Sequence, residues 1–192
     1  MNTAKKMLRI NAREPAPLFP PRIALGLGGN LGRVDRRMAG ALAALRQAGL
    51  TDLRVSSLYR STPVGCVPGV PPFLNAAATG RWGGSPASLL RVCQETERQL
   101  GRPARHSSSE SRPIDLDILL FDTLCIRTPS LTLPHPRMHE RLFVLLPLAE
   151  IAPSWPVPPN GITVETLCRR CRTHKDDQRV ERLETPALRH GE

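Results

Sequence analysis

Between Arg22 and Phe121 the apolar residues change period repeatedly, and the order of those changes limits the available folds more than any other feature of the chain. The run Arg22-Ile-Ala-Leu-Gly-Leu-Gly28 is short, apolar and closed by glycines. It predicts a buried strand followed by a turn at Gly28-Gly29-Asn30. From Leu31 the spacing becomes helical through Val34, Met38, Ala41, Leu42 and Leu45, with Gly49 as the stop. Thr51 to Tyr59 predicts a second strand and Phe73 to Trp82 a third. Ser85-Pro86 reads as an N-cap followed by proline at the first helical position. The helix it opens carries Leu89, Leu90, Cys93, Thr96, Glu97 and Leu100 on one broad face and ends at Gly101. Ile114 to Phe121 is a strong fourth strand. The order β-α-β-β-α-β is the split βαβ pattern of a ferredoxin-like α+β fold. The expectation is an antiparallel sheet with helices on both sides, in three α-β-α layers.

Composition sets the outer bounds. The 192 residues suit one domain with tails, and 40% apolar residues are enough for a core. No apolar run approaches the roughly 20 residues of a membrane helix, so no membrane association is expected. The first 21 residues hold Lys5, Lys6, Arg9 and Arg13 and four prolines but no long apolar stretch. They read as a flexible tail rather than a secretory signal. Five scattered cysteines argue against a disulfide framework and for a cytoplasmic chain. The net charge of +10 is concentrated at the ends: +4 in residues 1–22, +2 in residues 169–192, and only +4 between them. Such a mildly basic body suits a phosphate-bearing small substrate as well as it suits nucleic acid. The domain is expected over residues 22–172, with short helices at Arg141–Ile151 and Thr163–Arg172. A charged tail is expected over residues 173–192. Two irregular stretches interrupt the pattern, residues 60–72 with four prolines and two glycines, and the polar segment 102–113. Loops of that length inside a domain are usually functional or disordered.

The sharpest chemical feature is Asp115-Leu116-Asp117 inside the fourth strand. Side chains alternate along a strand, so both carboxylates share one face while Leu116 and Ile118 share the other. Two carboxylates that close repel unless a cation or proton lies between them. Hard oxygen ligands on one face suit Mg²⁺, which commonly takes one or two carboxylates plus substrate phosphates. The plainer alternative is a strand end with two solvated acids. Cations surround the pair in sequence: Arg102, Arg105 and Arg112 before it, then His135, Arg137, His139 and Arg141 after it. Guanidinium forks fit phosphate oxygens, and phosphoryl-type transfer relies mainly on positioning and charge stabilisation. Gly26-Leu-Gly-Gly-Asn-Leu-Gly32 lacks the Lys-Ser/Thr ending of a phosphate-binding Walker loop and reads as turn geometry. Cys168 and Cys171, with His174, read as thiols on a small helix, with zinc the minor alternative.

Taken together these stretches resemble the 6-hydroxymethyl-7,8-dihydropterin pyrophosphokinases of folate biosynthesis. The resemblance runs from about Ile23 to Pro153. It is carried by Ala24-Leu-Gly-Leu-Gly-Gly-Asn-Leu-Gly32, Val55-Ser-Ser-Leu-Tyr-Arg-Ser-Thr-Pro-Val-Gly65 and Phe73-Leu-Asn-Ala-Ala77. Further on come Glu97 with Gly101-Arg102, Arg112-Pro-Ile-Asp-Leu-Asp-Ile-Leu-Leu120, Leu133-Pro-His-Pro136 and Arg141-Leu-Phe-Val144. Members of that family move the terminal diphosphate of ATP to the pterin hydroxymethyl group and release AMP. The resemblance implies that Asp115 and Asp117 bind two Mg²⁺ ions bridging the ATP phosphates, with Arg102 and Arg112 as catalytic partners. It implies that Gln94, Glu97, Arg105, Ile118, Thr132, His135 and Arg141 surround ATP. Thr62, Pro63 and Val64 would read the pterin edge through the backbone. Asn75 would hydrogen-bond the ring, and Phe73 and Phe143 would stack on it. Where the family often has Arg-Trp-Gly-Pro-Arg, this chain has Ser108-Ser-Glu-Ser-Arg112. The Trp that helps cover the pterin is replaced by Ser109, and Ala104 stands at the preceding loop arginine with Arg105 adjacent. That departure predicts weaker activity or a related pterin. A monomer is expected. The rival readings are a non-catalytic pterin- or nucleotide-binding relative, against which both aspartates and Arg112 speak, and a basic RNA-binding ferredoxin-like domain. The latter needs aromatics interleaved with basic residues on the sheet, and Tyr59, Phe73, Trp82 and Phe121 form no such pattern.

Overall fold

In the computed structural model, which describes residues 19–103, 110–174 and 178–184, the glycine-closed apolar run becomes β1 (Arg22–Gly29). The helical period that follows becomes α1 (Val34–Gln47), and Val34, Met38, Ala41, Leu42 and Leu45 are all buried, as their spacing requires. Gly49, at φ +108°, adopts the left-handed turn that releases the chain toward β2 (Thr51–Val55). A three-residue strand, β3 (Tyr59–Ser61), and a long one, β4 (Phe73–Arg81), come next. Ser85 caps α2 (Pro86–Gln99) by accepting the Ser88 N–H at 3.1 Å, with Pro86 at the first helical position. Then come β5 (Asp115–Phe121) and a small ribbon of β6 (Ile126–Arg127) and β7 (Thr132–Leu133). They are followed by α3 (Leu142–Ile151), a second ribbon of β8 (Pro156–Val157) and β9 (Ile162–Thr163), α4 (Val164–His174) and β10 (Val180–Arg182).

The main sheet runs β10-β3-β4-β1-β5, with β2 also paired to β4, and all its pairings are antiparallel. Alternation along the strands sorts the core into two layers. Ile23, Leu25 and Leu27 face α1 and α2 together with Leu116 and Ile118. Ala24, Ala77 and Leu119 face α3 and α4 on the opposite side. Leu45, Leu89, Leu145 and Leu148 are fully buried in these layers, each contributing about 1.5–3 kcal/mol by its removal from water.

Three expectations are corrected. Thr51 to Tyr59 is two strands, not one. Ser56 breaks the run by turning its buried hydroxyl onto the Ala77 N–H at 2.9 Å, and Asp52 at φ +52° shifts the register of β2. The helix after Thr163 runs to His174, two residues past the boundary drawn at 172. Part of the expected C-terminal tail is also an element of the sheet. Residues 180–182 pair with β3, and Leu183 donates its N–H to the Leu58 carbonyl at 2.8 Å. A charged strand is stable there because it lies at the sheet edge, where Glu181 points into solvent. The N-terminal residues 1–18, the segment 104–109 with Arg105, and residues 185–192 lie outside the described residues. Cys168 and Cys171 are buried in the layer of α3 and α4, which is a packing role. No helix among the described residues is long and apolar enough to cross a membrane.

Candidate functional site

The face of the sheet under α3 and α4 is left open at one end. β1 has no side chains there. Gly26 pairs with Asp117, and Gly28 pairs with Asp115 on one side and Asn75 on the other. A β-carbon on Gly28 would stand 3.5 Å from the Asn75 Oδ1 and 4.0 Å from the Asp115 Cβ, within the space those groups enclose. The result is a cleft of about 280 Å³. Gly26 and Gly28 form its floor. Thr62, Val64 and Gly65 lie on one wall, with Phe73 and Asn75 beside them. Arg102, Arg112, Asp115 and Asp117 line a second, and His135, Arg137, Arg141 and Phe143 a third.

The loop entering β5 is held in place by the turn after β1. Asn30 accepts the Arg112 N–H at 2.8 Å and donates its amide to Ser111 Oγ and the Pro71 carbonyl, each at 3.1 Å. Gly29 permits this approach, since a β-carbon there would lie 2.7 Å from the Pro113 carbonyl oxygen.

Charge is dense at the start of β5. Arg102 bonds both Glu97 and Asp115 through one guanidinium nitrogen, and Arg112 Nε lies 3.0 Å from the other Asp115 oxygen. Glu97 also accepts the Leu116 N–H at 2.6 Å, joining α2 to β5. Burial pushes the Glu97 carboxyl up to about 7 despite the nearby Arg102 and the Leu116 N–H. Asp117 is less compensated, with Arg141 Nη1 3.9 Å away. Burial, and then the neighbouring Asp115 charge, raise its pKa, while Arg141, Arg112 and Arg102 oppose the rise. Its side chain nonetheless keeps 37% of its surface open to the cleft. An arriving cation therefore finds an under-neutralised carboxylate beside a neutralised one. His135 accepts the Arg137 N–H on Nδ1 at 3.2 Å. Burial, then the Arg141 charge, lower its pKa to about 4, so the ring is neutral near pH 7.

The other half of the cleft suits a flat polar heterocycle. Arg112 lies over the Phe73 ring at 5.3 Å and Arg141 over the Phe143 ring at 5.7 Å. Asn75 is buried, and its Nδ2 donates to Ser61 Oγ at 2.9 Å.

Of the residues singled out from sequence, the cleft gathers Arg102, Arg112, Asp115, Asp117, His135 and Arg141, along with Thr62, Val64, Phe73, Asn75 and Phe143. Glu97 adjoins it through Arg102. Gln94 is on the exposed side of α2, Ile118 is in the core on the opposite face, and Thr132 is half-buried in β7. Pro63 is not among the lining residues. Sequence reasoning assigned no role to Arg137, Ser61 or Cys66, which also line the cleft. For Arg137 the signal was its place in the cation cluster around the aspartates. For Ser61 and Cys66 there was none, since Ser61 is brought inside by the pairing of β3 with β4 and Cys66 by the turn after β3.

The sequence that builds this cleft, and its fold, have counterparts in other proteins. A sequence model of the 7,8-dihydro-6-hydroxymethylpterin-pyrophosphokinase (HPPK) family matches residues 24–153. The chain belongs to this family. It is 44% identical over 128 residues to the pyrophosphokinase of Bacillus subtilis, covering 66% of this chain and 75% of that one. To the Synechocystis enzyme it is 41% identical over 144 residues, 74% of this chain and 72% of the relative. To that of Haemophilus influenzae it is 38% identical over 152 residues, 79% and 93% of the two chains. Among solved structures, Plasmodium falciparum HPPK-DHPS with pteroate superposes with a TM-score of 0.63 at 14% identity. The match covers 82% of this chain and 45% of that one, and it bears on the fold alone. The pyrophosphokinase family match takes in every cleft residue and stops before α4 and β10.

Proposed function

We propose that this chain transfers the terminal diphosphate of ATP to the hydroxymethyl group of 6-hydroxymethyl-7,8-dihydropterin and releases AMP, the step that family membership assigns to folate biosynthesis. The observation that carries the reading is the meeting, in one cleft, of Asp115 and Asp117 over side-chain-free Gly28 and Gly26 with Asn75, Phe73 and Phe143. The ring would lie against the phenyl groups with its edge toward Asn75 and the Thr62–Val64 backbone, a flat apolar body with a polar rim. The triphosphate would lie among Arg102, Arg112, His135 and Arg141, with the nucleoside past the edge of β5 toward Gln94 of α2 and Thr132 of β7. The hydroxymethyl oxygen attacks the β-phosphorus and loses its proton, and the bond from that phosphorus to the bridging oxygen of AMP breaks. The arginines offset charge on the transferred group and on AMP as it leaves.

The donor set fits Mg²⁺: two carboxylates on one face, one of them under-neutralised. Asp115 and Asp117 would hold two such ions, which neutralise the triphosphate when bound. The strand order, with helices on both faces, supports a ferredoxin-like three-layer reading of residues 22–184. A monomeric, cytoplasmic enzyme is the simplest form of the proposal. The same layers cover the sheet faces on which RNA bases would stack. Mass spectrometry of the pterin after incubation with Mg²⁺ and ATP tests the reaction. A gain of two phosphoryl groups is expected, and a gain of one, or none, contradicts it.

A further inference from the structure

The C-terminal segment fastens two walls of the cleft to each other. Gln178 is buried and lies outside the family match. Its Oε1 accepts the Leu142 N–H at 2.8 Å, and its Nε2 donates to the Glu140 carbonyl at 2.8 Å. Leu142 opens α3, and the first N–H groups of a helix have no partner within it. The preceding residue, Arg141, makes no side-chain cap bond. Gln178 therefore supplies, from 36 residues downstream, the cap that α3 lacks locally. One residue further on, the Arg179 carbonyl accepts the Thr62 N–H at 3.1 Å, and Val180 pairs with Ser61. Two consecutive residues thus connect the start of α3, which carries Arg141 and Phe143, to the end of β3, which leads into Thr62 and Val64.

We propose that Gln178 is a positioning residue that fixes the Phe143 wall relative to the Thr62–Val64 wall and so sets the affinity for the flat heterocycle. The inference rests on the pterin reading above. Gln178 itself touches no substrate. Without it, the first turn of α3 loses its cap, and ordering the ring becomes part of the binding cost, which lowers affinity. The nucleotide is affected less: of the groups set around its phosphates only Arg141 shares this turn, while Arg102, Arg112 and Asp115 belong to β5 and the loop before it.

The test uses the full chain and titrates hydroxymethyl-dihydropterin, followed by pterin fluorescence, and separately Mg²⁺–ATP, followed by calorimetry. Gln178→Ala should weaken pterin binding about tenfold and change nucleotide binding less than threefold. Gln178→Glu keeps an acceptor for the Leu142 N–H but loses the donor to the Glu140 carbonyl, so it should recover only part of the affinity. If Gln178→Ala does not fold, Gln178→Met, which fills the volume without either hydrogen bond, carries the same comparison. A lower melting temperature with unchanged pterin affinity would mark the residue as merely structural and overturn the inference. So would an equal loss for both ligands. A wild-type chain that binds no pterin would instead refute the proposed function and leave the capping geometry as it stands.

Discussion

Glu97 shows how single side chains set the chemistry of the cleft. Its carboxyl is raised to about 7, first by burial, so the folded chain binds a proton there that the unfolded chain has already released. Stability from this group is therefore present at acidic pH and is lost as pH rises from about 4.5 to about 7, by at most about 3 kcal/mol. His135, lowered to about 4, acts in the opposite sense below about pH 6.5, because the unfolded chain gains the proton first. The informative quantity is thus the difference in slope between two proteins. Calorimetric melts from pH 5 to 8 should show wild type losing more stability with rising pH than Glu97→Gln. Parallel curves would mean that Glu97 is not protonated in that range. Asp117 is raised in the same direction by burial and by Asp115. Asp117→Asn relieves that repulsion and should melt at or slightly above wild type. Leu116→Asp, one residue away but in the α1 and α2 layer, buries a charge and should not fold. If Asp117→Asn unfolds the chain instead, the residue is a structural acid.

At the scale of elements, β1 is shaped as much by the side chains it lacks as by those it has. A Gly28→Ala β-carbon makes only ordinary contacts with Asn75 and Asp115, so the fold should survive, yet the methyl group enters the floor of the cleft. Pterin binding should weaken at least tenfold with a near-normal melt, and unchanged binding would show that the substrate does not cross Gly28. β10 belongs to the same scale. A chain ended after His174 lacks Gln178, the Arg179 carbonyl and the edge strand. Losing roughly 2–3 kcal/mol of edge pairing and capping should lower the melting temperature by about 5–10 °C. A chain ended after Glu184 should match wild type in melting temperature and pterin affinity. Equal melts for the two truncations would show that β10 is dispensable.

Across the whole molecule, what was legible in sequence follows from how each element is buried. α1 and α2 each bury one face, so their helical period was plain, and β1, β4 and β5 showed as apolar runs between glycines and prolines. α3 lies between the sheet and α4 with six buried residues, so it showed as an apolar stretch without a sharp period. The two-residue strands β6 to β9 are too short to leave a pattern, and β10 hid among charges because it is an edge. The aspartate pair could be read because alternation fixes its face. Arg137 stood in the cation cluster around the aspartates, whereas Cys66 carried no such signal because only tertiary folding brings its loop to the cleft. What unites these parts in the proposed function is a carboxylate pair that would hold the metal ions of the nucleotide while its β-phosphorus is attacked. The most direct measurement is chromatography of nucleotides during turnover with Mg²⁺, ATP and hydroxymethyl-dihydropterin, in wild type and Asp117→Asn. AMP should appear in wild type in step with pterin consumption and fall by roughly a thousandfold in the folded variant. ADP as the product, or an Asp117→Asn chain that makes AMP at a near-normal rate, would contradict it.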